Sequence, residues 1–569
     1  MTRLPLYLAA SALLAGCATT PAPVTDFTVN SGGPRAPEQL AVTFEKVDLA
    51  LRVDPATRSI SGDAALTFLL KEPLTRIAVE LDRNLPVDSA SVDGVALAPS
   101  AISNPQGRLY LTLPTPLDAG ARTTVRIRYH GMPHVAKRAP WDGAFTWSKT
   151  EDGQPWIATT VEGEGCDMFW PCIDHPMGKP QLIDLHISVP SPLVVAGNGV
   201  ALGMEEKDGW RTYNWRAKNP STYGVALNIG PYEMLSGDYA SKYGNTIPLR
   251  MWYLKGHDKD ARGLFSEFAP MLEFFESRIG PYPFGDEKMG VVETPHLGME
   301  HQTINAYGNG YAKSPYGYDW LLHHELSHEW FGNQMTNADW DDMWLHEGFG
   351  AYMQPLYLQH LRGEMEFQAE LFVHRKGIKN KVAIVSGKHK RIEEVYNDER
   401  GGPGNDIYIK GSLVLHTLRN LIGDEAFFRA TRRMVYGTET PAPGNFQPRW
   451  SSTREFIAFA NDSSGRDLGW FFDAYLYHAA LPELVAERDG NRLKLSWKLK
   501  DGGAFPMPLE VRINDRLEKL PMADGHGELT LPPHAVYTID PDSRVLRQEA
   551  RIDEWQRAEE ERKQKAKKS

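Results

Sequence analysis

Cysteine is nearly absent from this chain: three occur in 569 residues, at Cys17, Cys166 and Cys172. That scarcity leaves no thiol for a catalytic nucleophile and at most one short internal disulfide. In an exported protein Cys166 and Cys172 could pair across a very short loop, and two buried free thiols are the alternative. Basic tracts are also missing, and the formal net charge is −11. A nucleic-acid partner is therefore not expected. Beyond the first residues no apolar run is long enough to cross a membrane, and no internal repeat is apparent.

The one apolar run opens the chain, in MTRLPLYLAASALLAGC, with Arg3 ahead of it and small residues before Cys17. It is too short to span a bilayer and reads as an export signal. Leu14-Ala15-Gly16-Cys17 resembles a bacterial lipobox, in which the cysteine is acylated and becomes the new N-terminus. An ordinary secretory signal is the alternative. On the lipobox reading, residues 1–16 are the signal peptide and Cys17 carries a lipid anchor on the periplasmic face of a membrane. Ala18, rather than aspartate, resembles the outer-membrane sorting signal of many Gram-negative bacteria. Residues 17–40 are rich in Pro, Gly, Ser and Thr without periodicity, which predicts a flexible tether.

The remaining length suits three or four domains. Val47, Leu49, Leu51 and Val53 alternate with polar residues before the Asp54-Pro55 turn, and similar short segments predict a β-rich domain over 41–235. Helical patterns such as GSLVLHTLRNLIG, closed by a glycine suited to a C-cap, then mark a region over 236–480. Alternation returns at Leu493, Leu495, Trp497 and Leu499, predicting a small β domain over 481–549. A charged helix or frayed tail occupies 550–569. The fold class expected is multidomain α+β.

Chemistry concentrates in HHELSHEWFGNQMTNADWDDMWLHEGFGAY, which begins at His323. Asp319 can cap a helix running to Gly332, and residues four apart share a helix face, so His324 and His328 form a two-point chelate. Imidazole suits Zn²⁺, and a catalytic zinc takes three protein ligands and leaves a position for water. Glu347, separated from His328 by eighteen residues and on the next helical segment, is the third ligand expected. Two histidines and a glutamate are the thermolysin-type set. Glu325, beside His324, is placed as general base, and Asp342 as a residue that could orient a ligand histidine.

With WFGN and HEGF added, the pattern resembles the gluzincin aminopeptidases of the aminopeptidase N and leukotriene A4 hydrolase family, whose zinc motif is HExxH, eighteen residues, then Glu. PYPFGDEKMGVVETPHLGMEHQ resembles the segment that ends in GxMEN, which gives Glu300 the role of binding the substrate's α-amine; Leu297 stands at the usual first glycine and His301 at the usual asparagine. VEGEGCDMFWPCIDHPMGKP aligns Glu162 with a second amine-contacting position, with Asp167 where an arginine is usual. YIKG resembles YEKG and nominates Tyr408 as hydrogen-bond donor to the reaction's oxyanion. The resemblance implies a saddle-like N-terminal β-sheet domain, a thermolysin-like, mainly helical catalytic domain and a small C-terminal β-sandwich, without the large C-terminal helical domain of many members. It also implies one Zn²⁺ per chain and peptide substrates with a free N-terminus. The expected activity is a zinc metallo-aminopeptidase. Alternatives on the same residues are a zinc endopeptidase, an epoxide-opening hydrolase and an inactive peptide-binding lipoprotein. The complete set His324, Glu325, His328, Glu347 and Tyr408 argues against the last.

Overall fold

In a computed structural model, the structure describes residues 30–444 and 446–568. The expected signal peptide, Cys17 and the first part of the tether lie outside them. Alternating burial builds the N-terminal domain: Val47, Leu49, Leu51 and Val53 are at most 1% exposed. Their strand, Val42–Asp54, pairs antiparallel with Ser59–Leu70 and parallel with Leu182–Pro190 at the centre of an eight-stranded sheet. Smaller sheets of three and four strands complete this domain.

Two sequence boundaries are corrected. Residues 31–33 of the expected tether are buried, and Pro37–Leu40 forms a helical turn. Composition favoured flexibility, but here Gly32 lies against the Trp340 indole and Ser31 finds hydrogen-bond partners. The strand Tyr232–Ala240 straddles the expected break at 235/236. It pairs along its whole length with Thr246–Leu254, in a five-stranded sheet that continues through Met289–Glu293, Asn305–Tyr307 and Gly298–Met299. The five-stranded sheet therefore starts at Tyr232, ahead of the expected break.

That sheet and the helices after it position the site. Asp319 caps the zinc helix, its Oδ1 accepting from Leu322 N at 2.9 Å. The helix spans Trp320–Ser327, shorter than the run to Gly332 expected from sequence. His328 keeps helical dihedrals as the C-cap, so both imidazoles still share a face. The early end has a use: the chain turns back and brings the Phe331 carbonyl 2.9 Å from His328 Nδ1. Glu347 lies in the first turn of the helix Trp344–Arg362, which packs on the helix Asp406–Ile422 carrying Tyr408. The two helices meet at glycines, where a Cβ on Gly411 would lie 3.0 Å from Gly348 Cα.

Beyond these helices, two three-stranded sheets form the C-terminal β unit, followed by a helix over Ala550–Lys568. Among the described residues no helix is long and apolar enough to cross a membrane. Cys166 and Cys172 form a disulfide, which settles that alternative. A loop this short limits its contribution: chain entropy gives roughly 2 kcal/mol. Replacing both cysteines with alanine should lower the unfolding free energy by about that amount in a denaturant titration. A loss below a few tenths would show that the bridge does not constrain the unfolded chain.

Candidate metal centre and amine-binding site

Three lone-pair donors converge at the zinc helix. His324 Nε2 and His328 Nε2 are 3.3 Å apart, and Glu347 Oε2 lies 3.6 Å and 3.5 Å from them. Donors about 2.0–2.1 Å from a tetrahedral Zn²⁺ stand about 3.3–3.4 Å from one another, so this triangle has the size of a zinc site. The electronics agree. Glu347 Oε2 is buried without a hydrogen-bond partner, and a buried carboxylate oxygen is costly to leave unpaired. Nδ1 of His328 faces the Phe331 carbonyl, so donation there leaves Nε2 bare for a metal. Burial, with His328 and His323 nearby, holds the His324 imidazole well below its usual pKa, in the neutral ligand form.

Around the triangle stand three more carboxylates. One oxygen of Glu300, one of Glu325 and a ring nitrogen of His328 all lie within 4.8 Å of one another. Glu325 packs against Gly298, where any Cβ would overlap its Oε1. Burial, then Glu300 and Glu347, push the Glu325 carboxyl well above the usual carboxylate range. A bound dication would act in the opposite direction. Glu300 Oε1 accepts from the Tyr223 hydroxyl at 2.9 Å, and Asn333 Nδ2 donates to the Glu300 carbonyl at 2.9 Å. Glu162 reaches the same cluster, and burial followed by Glu300, Glu347 and Glu325 raises its pKa strongly. So dense a group of acids calls for a cationic partner.

Two phenols complete the site. Tyr408 and Tyr396 each donate to Glu347 Oε1 at 2.8 Å, and Tyr396 also reaches Glu162 Oε1 at 3.4 Å. Burial and the neighbouring carboxylates raise both phenols well above their usual pKa, so both stay protonated donors. Sequence reasoning missed Tyr396 and Tyr223, which sit in segments without a regular period.

The structure brings together His324, Glu325, His328, Glu347, Tyr408, Glu300 and Glu162. It does not bring Asp342. That carboxylate accepts from Thr453 N at 2.8 Å and so anchors the start of the helix Thr453–Ser464. The expected role beside a ligand histidine is therefore corrected, and the Phe331 carbonyl fills it for His328. Asp167, at the position of the usual arginine, is fully buried beside Asp174, Asp82 and Glu80.

Comparison with known proteins agrees with this geometry. Residues 44–223 match the Peptidase M1 N-terminal domain and residues 316–475 match the Peptidase family M1 domain, together more than half of the chain. The chain belongs to peptidase family M1. Relatives of this M1 chain include probable aminopeptidase 1 of Saccharolobus solfataricus, 24% identical over 412 residues that are 67% of this chain and 49% of that one. Leukotriene A-4 hydrolase of Xenopus laevis is 25% identical over 69% of this chain and 64% of its own. The M1 chain thus spans about half to two thirds of the length of these curated relatives. Among solved structures, a two-domain M1 zinc metallopeptidase bound to L-tryptophan superposes with a TM-score of 0.65 at 26% identity, covering 78% of this chain and 96% of that one. A Deinococcus radiodurans M1 zinc metallopeptidase bound to a Tyr-Ser-Ala substrate gives 0.64 at 25% identity, with the same coverage.

Proposed function

We propose that this M1 chain is a zinc-dependent aminopeptidase that removes N-terminal residues from peptides. The observation that carries the reading is the placement of Glu300 and Glu162 beside the three metal donors. A substrate's α-ammonium entering a partly desolvated pocket needs a carboxylate partner, since an unpaired buried charge costs several kcal/mol. Carboxylates near the metal fix the scissile bond one residue from the chain end.

His324, His328 and Glu347 would hold the ion. When bound, Zn²⁺ acidifies water and polarises a carbonyl. The chain's own residues do the rest. Glu325 accepts the proton of the attacking water and passes it to the leaving amine, and its burial strengthens its hold on that proton. Tyr408, a neutral phenol, donates to the oxyanion that develops on the scissile carbonyl.

The test compares peptides with free and acetylated N-termini. Acetylated peptides should be poor substrates. Glu300→Ala should lower kcat/KM for free-amine substrates by about 1.5–3 kcal/mol, the worth of a hydrogen bond to a charged group, with zinc content unchanged. Equal cleavage of both peptides, or cleavage of internal bonds first, would overturn the reading in favour of an endopeptidase.

The localisation reading is also a proposal. The apolar start and the Leu14-Ala15-Gly16-Cys17 pattern support acylation of Cys17 and an outer-membrane position facing the periplasm. Cys17→Ser should abolish labelling by a palmitate analogue and release the protein from the membrane fraction. Persistent labelling of that variant would rule Cys17 out.

A further inference from the structure

The short segment Ser31-Gly32-Gly33 is buried, although its composition is that of a linker. Its partners show what it does. Ser31 N donates to the Gly163 carbonyl at 2.9 Å, and Ile392 N donates to the Ser31 carbonyl at 3.3 Å. Ser31 Oγ donates to Asp174 Oδ1 at 3.0 Å. Gly32 has φ +82, and a Cβ there would overlap the indole of Trp340. Only glycine suits that position, on backbone grounds and on space.

Each contacted element carries one part of the amine site. Gly163 follows Glu162 in the chain. Ile392 opens the short helix Glu393–Tyr396, whose last residue bridges Glu347 and Glu162. Trp340 packs 6.1 Å from the ring of Tyr223, which holds Glu300. Three segments distant in sequence are thus tied at one point by a few residues of the N-terminal strand of chain.

We propose that Ser31 and Gly32 form a positioning strap for the α-amine subsite, setting the relative placement of Glu162, Tyr396 and the Tyr223–Glu300 pair. The inference rests on the aminopeptidase reading for its effect on substrates, and on packing alone for its effect on the loops. The strap reaches the metal donors through an intermediary, the Tyr396 hydroxyl on Glu347 Oε1, whereas its contacts through Gly163 and Trp340 lead to Glu162 and to the Tyr223–Glu300 pair. Two of its three lines of contact end on the carboxylates that hold the substrate's amine, so its main effect is on how that amine is held.

The experiment uses full-length Gly32→Ala. KM for a free-amine peptide should rise about tenfold or more with kcat nearly unchanged, and discrimination against the acetylated peptide should fall in step, because ångström misplacement of a positioning group is costly. Zinc content should hold. A lower Tm with unchanged KM and unchanged discrimination would reduce the segment to a stabilising plug and overturn the proposal. Hydrogen exchange supplies a readout that needs no activity: the amides of Ser31, Ile392 and the Glu393–Tyr396 helix should exchange faster in the variant while the zinc helix does not. Unchanged exchange at those amides also overturns the strap. If wild-type protein shows no preference for free amines, the aminopeptidase reading fails, and exchange still decides the strap. Should Gly32→Ala fail to fold, Ser31→Ala removes only the hydroxyl bond to Asp174. It should raise KM about threefold, the effect of one modest hydrogen bond, and an unchanged KM overturns the proposal.

Discussion

Glu325→Gln is expected to bind zinc normally and to lose turnover by about 10⁴-fold or more, because acceptance and delivery of a proton each contribute about 10²–10⁴. The amide has nearly the shape of the carboxylate, so packing against Gly298 and the helix is kept. What it lacks is a site for the proton. Glu325 is not one of the three converging donors, so metal content should match wild type by elemental analysis. A variant that keeps near-normal activity would place the base elsewhere, with Glu300, within 4.8 Å of Glu325, a candidate.

The second large effect is expected at Tyr408. Tyr408→Phe should lower kcat by about 10²–10³ with little change in KM, the pattern of an interaction made mainly in the transition state. The geometry calls for a control, because Tyr396 donates to the same Glu347 oxygen at the same 2.8 Å. Tyr396 also reaches Glu162, so Tyr396→Phe should act mostly on KM. If the two patterns are exchanged, Tyr396 is the oxyanion donor and Tyr408 belongs to substrate binding. A kcat loss in both would mean that each phenol works by holding Glu347.

The metal donors were legible in the sequence because their placement is local. Two histidines four apart on a capped helix must share a face, and a glutamate in the next helix can return to them. Glu300 and Glu162 were legible only by resemblance. Tyr223 and Tyr396 were not legible, since one lies in a turn and the other ends a one-turn helix, and the approach of both to the site is fixed by distant packing. Asp342 shows a competing principle at work: a carboxylate near a helix start finds backbone N–H groups before it finds a histidine. The segment 30–36 misled for a related reason. Glycine and serine make a chain flexible in water, yet they are also the residues that can lie against a tryptophan or donate to a buried carboxylate.

The touching glycines carry a consequence for how this centre can vary. Glu347 precedes Gly348, and Tyr408 lies one turn before Gly411, so the distance between two helix axes sets the reach of the phenol to the carboxylate. A methyl on either glycine would meet backbone, which cannot swing aside as a side chain can. Substitution there would alter the interaxial spacing and with it every contact across the centre at once. The pair therefore behaves as a single inherited dimension: exchange of either helix between relatives should succeed only when its glycine travels with it.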